Sequence, residues 1–209
     1  MERVHFEQER MVEELKDLVD RGLFTEKETK QILKKRTHYE TLLIRRVAKK
    51  SDFLRYAAYE MGLEALRRKR VHRIEADGPR TVSDYGMVKR QFEIFERALV
   101  KFKSDVGIWV QYIQVAKREG ATERVGRVLA RAVQTHPGEE QLWVMSAQWE
   151  MQGGSVTGAR GILMRGIRMN GTSAEVWREW VRMERWAGVD GVVDEVERQA
   201  RMAVPGIEL

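Results

Sequence analysis

A 34-residue period between residues 92 and 186 limits what this chain can fold into more than any other feature. Three tryptophans set the period, and series of small residues, apolar residues and arginines keep step with them: Trp109, Trp143 and Trp177; Ala98, Ala132 and Gly166; Phe95, Leu129 and Leu163; Arg97, Arg131 and Arg165. A period of this length predicts tandem helical hairpins, because one hairpin cannot bury its apolar faces until the next stacks on it. We therefore expect an all-α, right-handed superhelical solenoid with the tryptophans inside the hairpin cores.

A weaker copy of the pattern lies upstream. Phe53, Tyr56 and Glu60 stand at offsets 0, +3 and +7, and Trp109 follows Phe53 by 56 residues, which is 22 more than one period. This spacing predicts an N-terminal helical region over 1–50 and a repeat array over 51–209, with an insertion at about 67–86 that contains the helix-breaking Asp77–Pro79. The expected repeat core is Phe53, Tyr56, Phe95, Ala98, Trp109, Tyr112, Leu129, Ala132, Trp143, Leu163, Gly166 and Trp177.

Apolar spacing and capping residues predict where the helices begin and end. Thr25 and Glu28 form a capping-box pattern, so a helix is expected to start there. Further N-caps are expected at Ser51-Asp52, Ser83-Asp84 and Ser173. Asp105 and Thr122-Glu123 are expected to open helices, and the remaining helices are expected over 3–21, around Trp143, over 157–169 and over 190–203. No polar capping helix follows the last of these. We therefore expect the array either to continue in a longer chain or to be covered there by a partner.

The composition argues against an enzyme. The 209 residues include no cysteine, and the four histidines are scattered without the spacing of metal ligands. Gly153-Gly154 lies in a glycine-rich stretch, but it follows a predicted helix rather than a strand, so a hairpin turn explains it better than a phosphate-binding loop. We expect no catalytic residues, no cofactor, no small-molecule substrate and no membrane segment.

Basic clusters are the candidate binding residues, since the chain has a net charge of +6. They could bind RNA phosphates or an acidic protein partner, or they could simply form solvated helix faces. If they bind RNA, reversing Arg67, Arg68 and Arg70 to glutamate should weaken binding without lowering the melting temperature. The candidates are Lys34, Lys35, Arg36, Arg45, Arg46, Lys49, Lys50, Arg67, Arg68, Lys69, Arg70 and Arg73.

Three further tryptophans lie outside the period. Trp149, Trp180 and Trp186 could anchor a partner along the groove of stacked hairpins, since aromatic residues dominate binding hot spots. Packing into the core is the alternative for each, and it is the favoured interpretation for Trp180.

The offsets of the aromatic and acidic residues resemble the half-a-tetratricopeptide (HAT) repeat. In that repeat the first helix carries two aromatic residues and an acid, and the second carries a small residue next to arginine and ends near a proline. Arg131, Ala132 and Pro137 match this pattern, whereas Ala116 replaces the acid in the Trp109 repeat. The resemblance implies a protein of an RNA-processing assembly.

The N-terminal third resembles the start of the U3 small nucleolar RNA-associated protein 6 family. The motifs are Gly22–Thr25, Ile32, Lys35-Arg36, Tyr39-Glu40, Leu43, Arg45-Arg46, Lys50–Tyr56, Tyr59-Glu60, Leu66–Arg68 and Phe95–Leu99. The resemblance implies a longer, non-enzymatic scaffold of the small-subunit processome in the nucleolus. Its implied partners are WD40-propeller proteins, and U3 snoRNP and pre-rRNA either directly or indirectly. A HAT scaffold of another RNA machine, such as the spliceosome or 3′-end processing, and a direct RNA-binding module stay as alternatives.

Overall fold

A computed structural model describes residues 2–74, 80–188 and 190–209, and the side chains of 11–74, 80–188 and 191–209. Within these residues the chain forms ten α-helices, one short 3₁₀ helix and no β-strand, which confirms the all-α prediction. The helices are α1 Glu2–Asp20, α2 Glu26–Ile44, α3 Lys50–Arg73, α4 Gly86–Lys101, α5 Val106–Arg118, α6 Thr122–Thr135, α7 Glu140–Gln152, α8 Val156–Met169, α9 Ala174–Ala187 and α10 Asp190–Ala203, with the 3₁₀ helix at Val82–Asp84. No helix in these ranges has the length and apolar character needed to span a membrane.

The helices pair as consecutive antiparallel hairpins, the organisation of a helical solenoid. The chain divides into two compact units, Met1–Phe102 and Lys103–Leu209. In the first unit α1 pairs with α2 and α3 with α4, while the 3₁₀ helix packs on α1. In the second unit the pairs are α5 with α6, α7 with α8 and α9 with α10. The boundary predicted near residue 50 lies inside the first unit.

Several predicted helix starts are confirmed, and two are wrong. The Thr25 N–H donates to Glu28 (2.8 Å) and the Glu28 N–H donates to Thr25 Oγ1 (3.3 Å), so the capping box is present. Asp52, in contrast, is the third residue of α3, where its carboxylate accepts from the Lys49 N–H at 3.4 Å. The Ser83-Asp84 pair lies in the 3₁₀ helix, because α4 begins only at Gly86. The predicted break at Asp77–Pro79 lies outside the described residues.

Contacts with α1 and with the residue that follows it explain why Ser83 and Asp84 do not cap a helix. The guanidinium of Arg21 donates to Ser83 Oγ at 3.1 Å and to Asp84 at 2.9 Å, and the Ser83 N–H donates to Asp17 of α1 at 3.0 Å. These contacts hold the 3₁₀ helix against α1, so the two side chains serve tertiary structure and are not available to the N-terminus of α4.

Every residue of the predicted repeat core is buried, including Gly166. The small side chain at Gly166 has a packing reason. A Cβ built there would lie 3.1 Å from both Cβ and Cγ of Trp143, which is closer than carbon atoms normally approach. Glycine therefore lets α8 pack directly on the tryptophan of α7.

The periodic tryptophans share one hydrogen bond that fixes the loop before each of them. The indole N–H donates at 2.9 Å to the carbonyl six residues earlier, which belongs to Lys103, Pro137 and Gly171 in turn. The first two carbonyls also accept from the residue that caps the C-terminus of the second helix of the same hairpin, His136 Nε2 at 2.8 Å and Asn170 Nδ2 at 2.9 Å. Since a carbonyl can only accept, this nitrogen of His136 carries a proton. The loops before Trp109 and Trp143 are thus each held by both helices of the hairpin that follows them.

Candidate partner-binding surfaces

One predicted partner contact, Arg36, lies in the interior of the first unit, where its exposed fraction is 0%. Its guanidinium donates to both oxygens of Glu60 (2.8 and 2.7 Å) and to Glu14 (3.0 and 3.3 Å). Arg90 completes the cluster with a 2.8 Å bond to Glu14. The prediction that Arg36 contacts RNA or a partner is wrong, because the side chain joins α1, α2, α3 and α4 through buried carboxylates.

The charges of this buried cluster balance, with two arginines against two glutamates. Burial by itself raises the pKa of Glu14, but Arg36 and Arg90 outweigh burial and hold that pKa below its ordinary value. Burial likewise opposes the charge on Arg36, yet Glu60 and Glu14 raise its pKa. Glu14 and Arg36 therefore stay charged inside the protein and serve the fold.

Arg67 is also buried, so the prediction that it contacts a partner is wrong as well. It donates to both oxygens of Glu64 (2.8 and 2.9 Å) and to Asp84 at 2.7 Å. Its neighbour Arg68 donates to the same Glu64 at 2.7 Å but keeps about half of its side chain exposed.

Arg70 is engaged within the fold too. It donates to Glu28 at 3.0 and 2.7 Å and to the Leu23 carbonyl at 2.8 Å, and it lies over the ring of Phe24. The hydrogen bond from Arg70 is the main cause that lowers the pKa of Glu28 to about 2. Reversing the charges of Arg67 and Arg70 would set glutamates against these carboxylates, so the expectation of an unchanged melting temperature does not hold.

The remaining basic candidates keep accessible side chains. Lys34, Lys35, Arg45, Arg46, Lys49, Lys69 and Arg73 are exposed, and Lys50 is half-buried. Lys35 lies over the ring of Tyr59. Arg45, Arg46 and Lys49 are grouped in the short segment that joins α2 to α3. The sequence clusters therefore split: these side chains and the exposed part of Arg68 can reach a partner, whereas Arg36 and Arg67 cannot.

The three tryptophans outside the period occupy different environments. Trp180 is buried, stacks on Trp177 and donates its indole N–H to Glu184 at 3.0 Å, which confirms its core role. Trp149 is half-buried with Lys117 over its ring, and Trp186 is 66% exposed. Trp149 and Trp186 therefore stay candidates for partner contacts.

A cavity of about 560 Å³ opens in the second unit between α6, α7 and α8. Its walls are mostly apolar, with Leu129, Ala130 and Ile162 beside Trp149. One carboxylate, that of Glu150, lines it, and no partner for this carboxylate is found in the described part of the chain. Sequence reasoning missed the cavity, although the repeat pattern places an acid at Glu150.

Chemistry at a metal centre has no support in the described residues, where no three histidine, aspartate or glutamate side chains come together as a possible metal site. The buried polar clusters of these residues consist of arginines bonded to carboxylates within the fold. What the surfaces offer is an array of hairpins with an apolar cavity and exposed basic side chains, which is suited to binding another macromolecule.

Comparison with known proteins agrees with this architecture. The family model described as the PRP39 C-terminal HAT repeat matches residues 82–186, which is half of the chain. The fold and this match define a HAT-repeat protein.

A second model, described as U3 small nucleolar RNA-associated protein 6, matches residues 8–94. The protein of that name from Schizosaccharomyces pombe is 36% identical over 88% of this chain, and the Mus musculus homolog is 34% identical over 83%. This chain belongs to the U3 small nucleolar RNA-associated protein 6 family, as its N-terminal motifs predicted.

The matched region makes up 38% of the S. pombe protein and 29% of the mouse protein, so the chain spans well under half the length of these relatives. Among solved structures, one titled "Crystal structure of MamA protein" is similar with a TM-score of 0.45 at 8% identity, over 91% of this chain and 92% of that one.

Proposed function

We propose that this protein is a non-enzymatic scaffold of the small-subunit processome, which supports U3-dependent processing of pre-18S rRNA in the nucleolus through protein–protein contacts. The observation that carries the proposal is the kinship with proteins named for association with U3 small nucleolar RNA, at 36% identity over 88% of this chain. Family membership thus supports the proposed process, and the helical-hairpin fold supports the proposed scaffold role.

The internal chemistry of both units supports a scaffold. Buried polar groups such as Arg36, Glu60 and Glu184 are bonded to each other or to neighbouring helices. The recurrent features stabilise the helical hairpins, and hairpin arrays bind partners over extended surfaces. The partners we propose are WD40-propeller proteins of the same assembly, with no small-molecule substrate.

Affinity purification from cells tests this function. The tagged chain, expressed within its natural full-length protein, should recover WD40-propeller processome proteins by mass spectrometry and enrich U3 RNA over the spliceosomal U1 RNA. A Trp143→Ala variant, which removes a hairpin core, serves as the matched control and should lose both. Recovery of spliceosomal or 3′-end processing proteins in place of processome proteins would reject the assignment in favour of another RNA machine.

Direct RNA contact is the second candidate function, and the segment between α2 and α3 favours it. Arg45, Arg46 and Lys49 are exposed there, and no partner is found for their side chains among the described residues. Their alanine substitution should weaken RNA binding and lower the slope of log K against log salt by about 0.7 for each phosphate that the protein no longer neutralises.

The control for this experiment removes the same charge elsewhere. Alanine at the exposed Arg127, Arg168 and Arg198 should leave RNA binding unchanged if the α2–α3 segment is a specific contact. If both triple variants lose RNA affinity equally, only net charge attracts RNA. If ultraviolet light produces no crosslink between the protein and RNA, the protein is a scaffold that binds proteins alone.

A further inference from the structure

An arginine–glutamate pair recurs in the repeats at one sequence distance. Arg36 binds Glu60 with bonds of 2.8 and 2.7 Å, and Arg160 binds Glu184 with bonds of 2.7 and 2.6 Å. In both pairs the arginine precedes the glutamate by 24 residues and comes from the helix before it. The glutamate is the acid at offset +7 of its repeat.

The Trp143 repeat has the acid without the arginine. Its acid is Glu150, and Gly126 stands 24 residues earlier. The Trp109 repeat has neither member of the pair, since Ala116 and Phe92 occupy the two positions. Among the glutamates at offset +7, Glu150 is thus the one that has no arginine 24 residues before it.

The missing arginine leaves space. Gly126 and Glu150 both line the cavity between α6, α7 and α8. A Cβ built on Gly126 would meet only the indole nitrogen of Trp149, at 3.9 Å, which is an ordinary contact distance. Arg165 also lines the cavity, but it donates to the Gly161 carbonyl of its own helix at 3.0 Å. A side chain entering here meets apolar walls and a carboxylate.

We propose that this cavity receives an arginine side chain of a protein partner, whose guanidinium binds Glu150 as Arg36 binds Glu60. The apolar walls suit the methylene groups of arginine, and the carboxylate suits its planar head. The mostly apolar walls cannot solvate a phosphate, so the surface favours a protein side chain over RNA. The inference rests on the proposed scaffold function, for which it specifies the chemistry of one partner contact.

Filling the cavity from within the chain tests the chemistry directly. Gly126→Ala should stabilise the protein about fivefold in its unfolding equilibrium, because alanine favours a helix. Gly126→Arg should add a further factor of about five to ten by pairing with Glu150, and Glu150→Gln should abolish the added factor. If Gly126→Arg is no more stable than Gly126→Ala, Glu150 does not accept a guanidinium in this cavity and the proposal fails.

Crosslinking tests the partner. Benzoylphenylalanine is placed at the exposed Ala130, on the wall of the cavity, in the full-length tagged protein in cells. We expect a crosslink to a protein segment that contains arginine, with a yield about tenfold lower when Gly126→Arg or Glu150→Gln is added. Crosslinks to RNA, to a second copy of this chain or to a segment without arginine would overturn the proposal.

Two more results would also overturn it, namely a yield unchanged by either variant and no crosslink above an unirradiated sample. U3 RNA is measured in the same purification. If the protein without benzoylphenylalanine does not recover U3 RNA, the proposed function is rejected. If U3 RNA is recovered but no crosslink forms, only the arginine contact is rejected.

Discussion

At the scale of the residue, the indole N–H of Trp143 has a role that the ring alone cannot fill. Trp143→Phe keeps an aromatic ring but loses the bond to the Pro137 carbonyl and part of the packed volume. We expect a loss of about 1–3 kcal/mol in the free energy of unfolding, against about 3–5 kcal/mol for Trp143→Ala. Urea denaturation measures both free energies.

The control Trp186→Phe, at a 66% exposed position, should change stability by less than about 0.5 kcal/mol. A Trp143→Phe protein as stable as the parent would refute the role of the N–H.

Two glycines of α8 offer a matched pair at the same scale. Gly166→Ala should destabilise the protein, because the added Cβ would lie 3.1 Å from Trp143, although alanine is the better helix former. Gly161→Ala meets nothing within 4 Å and should stabilise it by up to about 1 kcal/mol. Thermal melts of the two variants should therefore shift in opposite directions, and a shift in the same direction would remove the packing explanation.

At the scale of the element, α2 is held to its neighbours through a buried charge. Arg36→Met should cost about 3–5 kcal/mol, because it leaves Glu14 and Glu60 buried without their main cation. Arg45→Met, an equal change at an exposed position just past the end of α2, should cost less than about 0.5 kcal/mol. Guanidinium denaturation of the two variants decides the point, and equal midpoints would mean that the cluster contributes no net stability.

The same helix illustrates what a sequence can and cannot predict. Arg36 belongs to the run Lys34-Lys35-Arg36, so the sequence groups it with solvated cations. A basic run predicts attraction to anions, but it does not show which of its side chains point into the protein. The sequence nonetheless indicates that Arg36 is buried. Arg36 lies at helical spacing from the buried Ile32 and Leu43, on one stripe of α2.

The helix starts divide in the same way. The sequence predicts the capping box of Thr25 and Glu28 correctly, because both bonds are local to the turn. It predicts the role of Asp84 wrongly, because the partners Arg21 and Arg67 lie 63 and 17 residues away in the sequence. The cavity beside Glu150 could not be predicted for a related reason, since it depends on how three helices approach each other.

At the scale of the whole molecule, stability should fall in acid. The pKa of Glu28 is about 2 in the folded protein against an ordinary value of 4.5, and the pKa values of Glu14, Asp17, Asp84 and Glu184 are also lowered. The unfolded chain then binds more protons, so the stabilisation is complete above about pH 5 and is lost as pH falls toward 2. Glu60, whose pKa burial raises, opposes this trend.

Unfolding free energies measured between pH 7 and pH 2 test this dependence. Glu28→Gln should flatten the curve below pH 4.5, because one lowered carboxyl is removed, whereas glutamine at the exposed Glu139 should leave its shape unchanged. A Glu28→Gln curve parallel to that of the parent protein would show that the Arg70 bond does not control this group.

The loop carbonyls that accept two hydrogen bonds restrict how the sequence of such an array can evolve. Lys103 and Pro137 each accept from the tryptophan six residues later and from a residue 33 positions later. The second donor is histidine in one case and asparagine in the other, so its chemical identity is open to substitution. A one-residue insertion or deletion between donor and acceptor would instead misplace a bond that joins the two ends of one hairpin. Natural variation here should exchange side chains freely while keeping the count of residues constant.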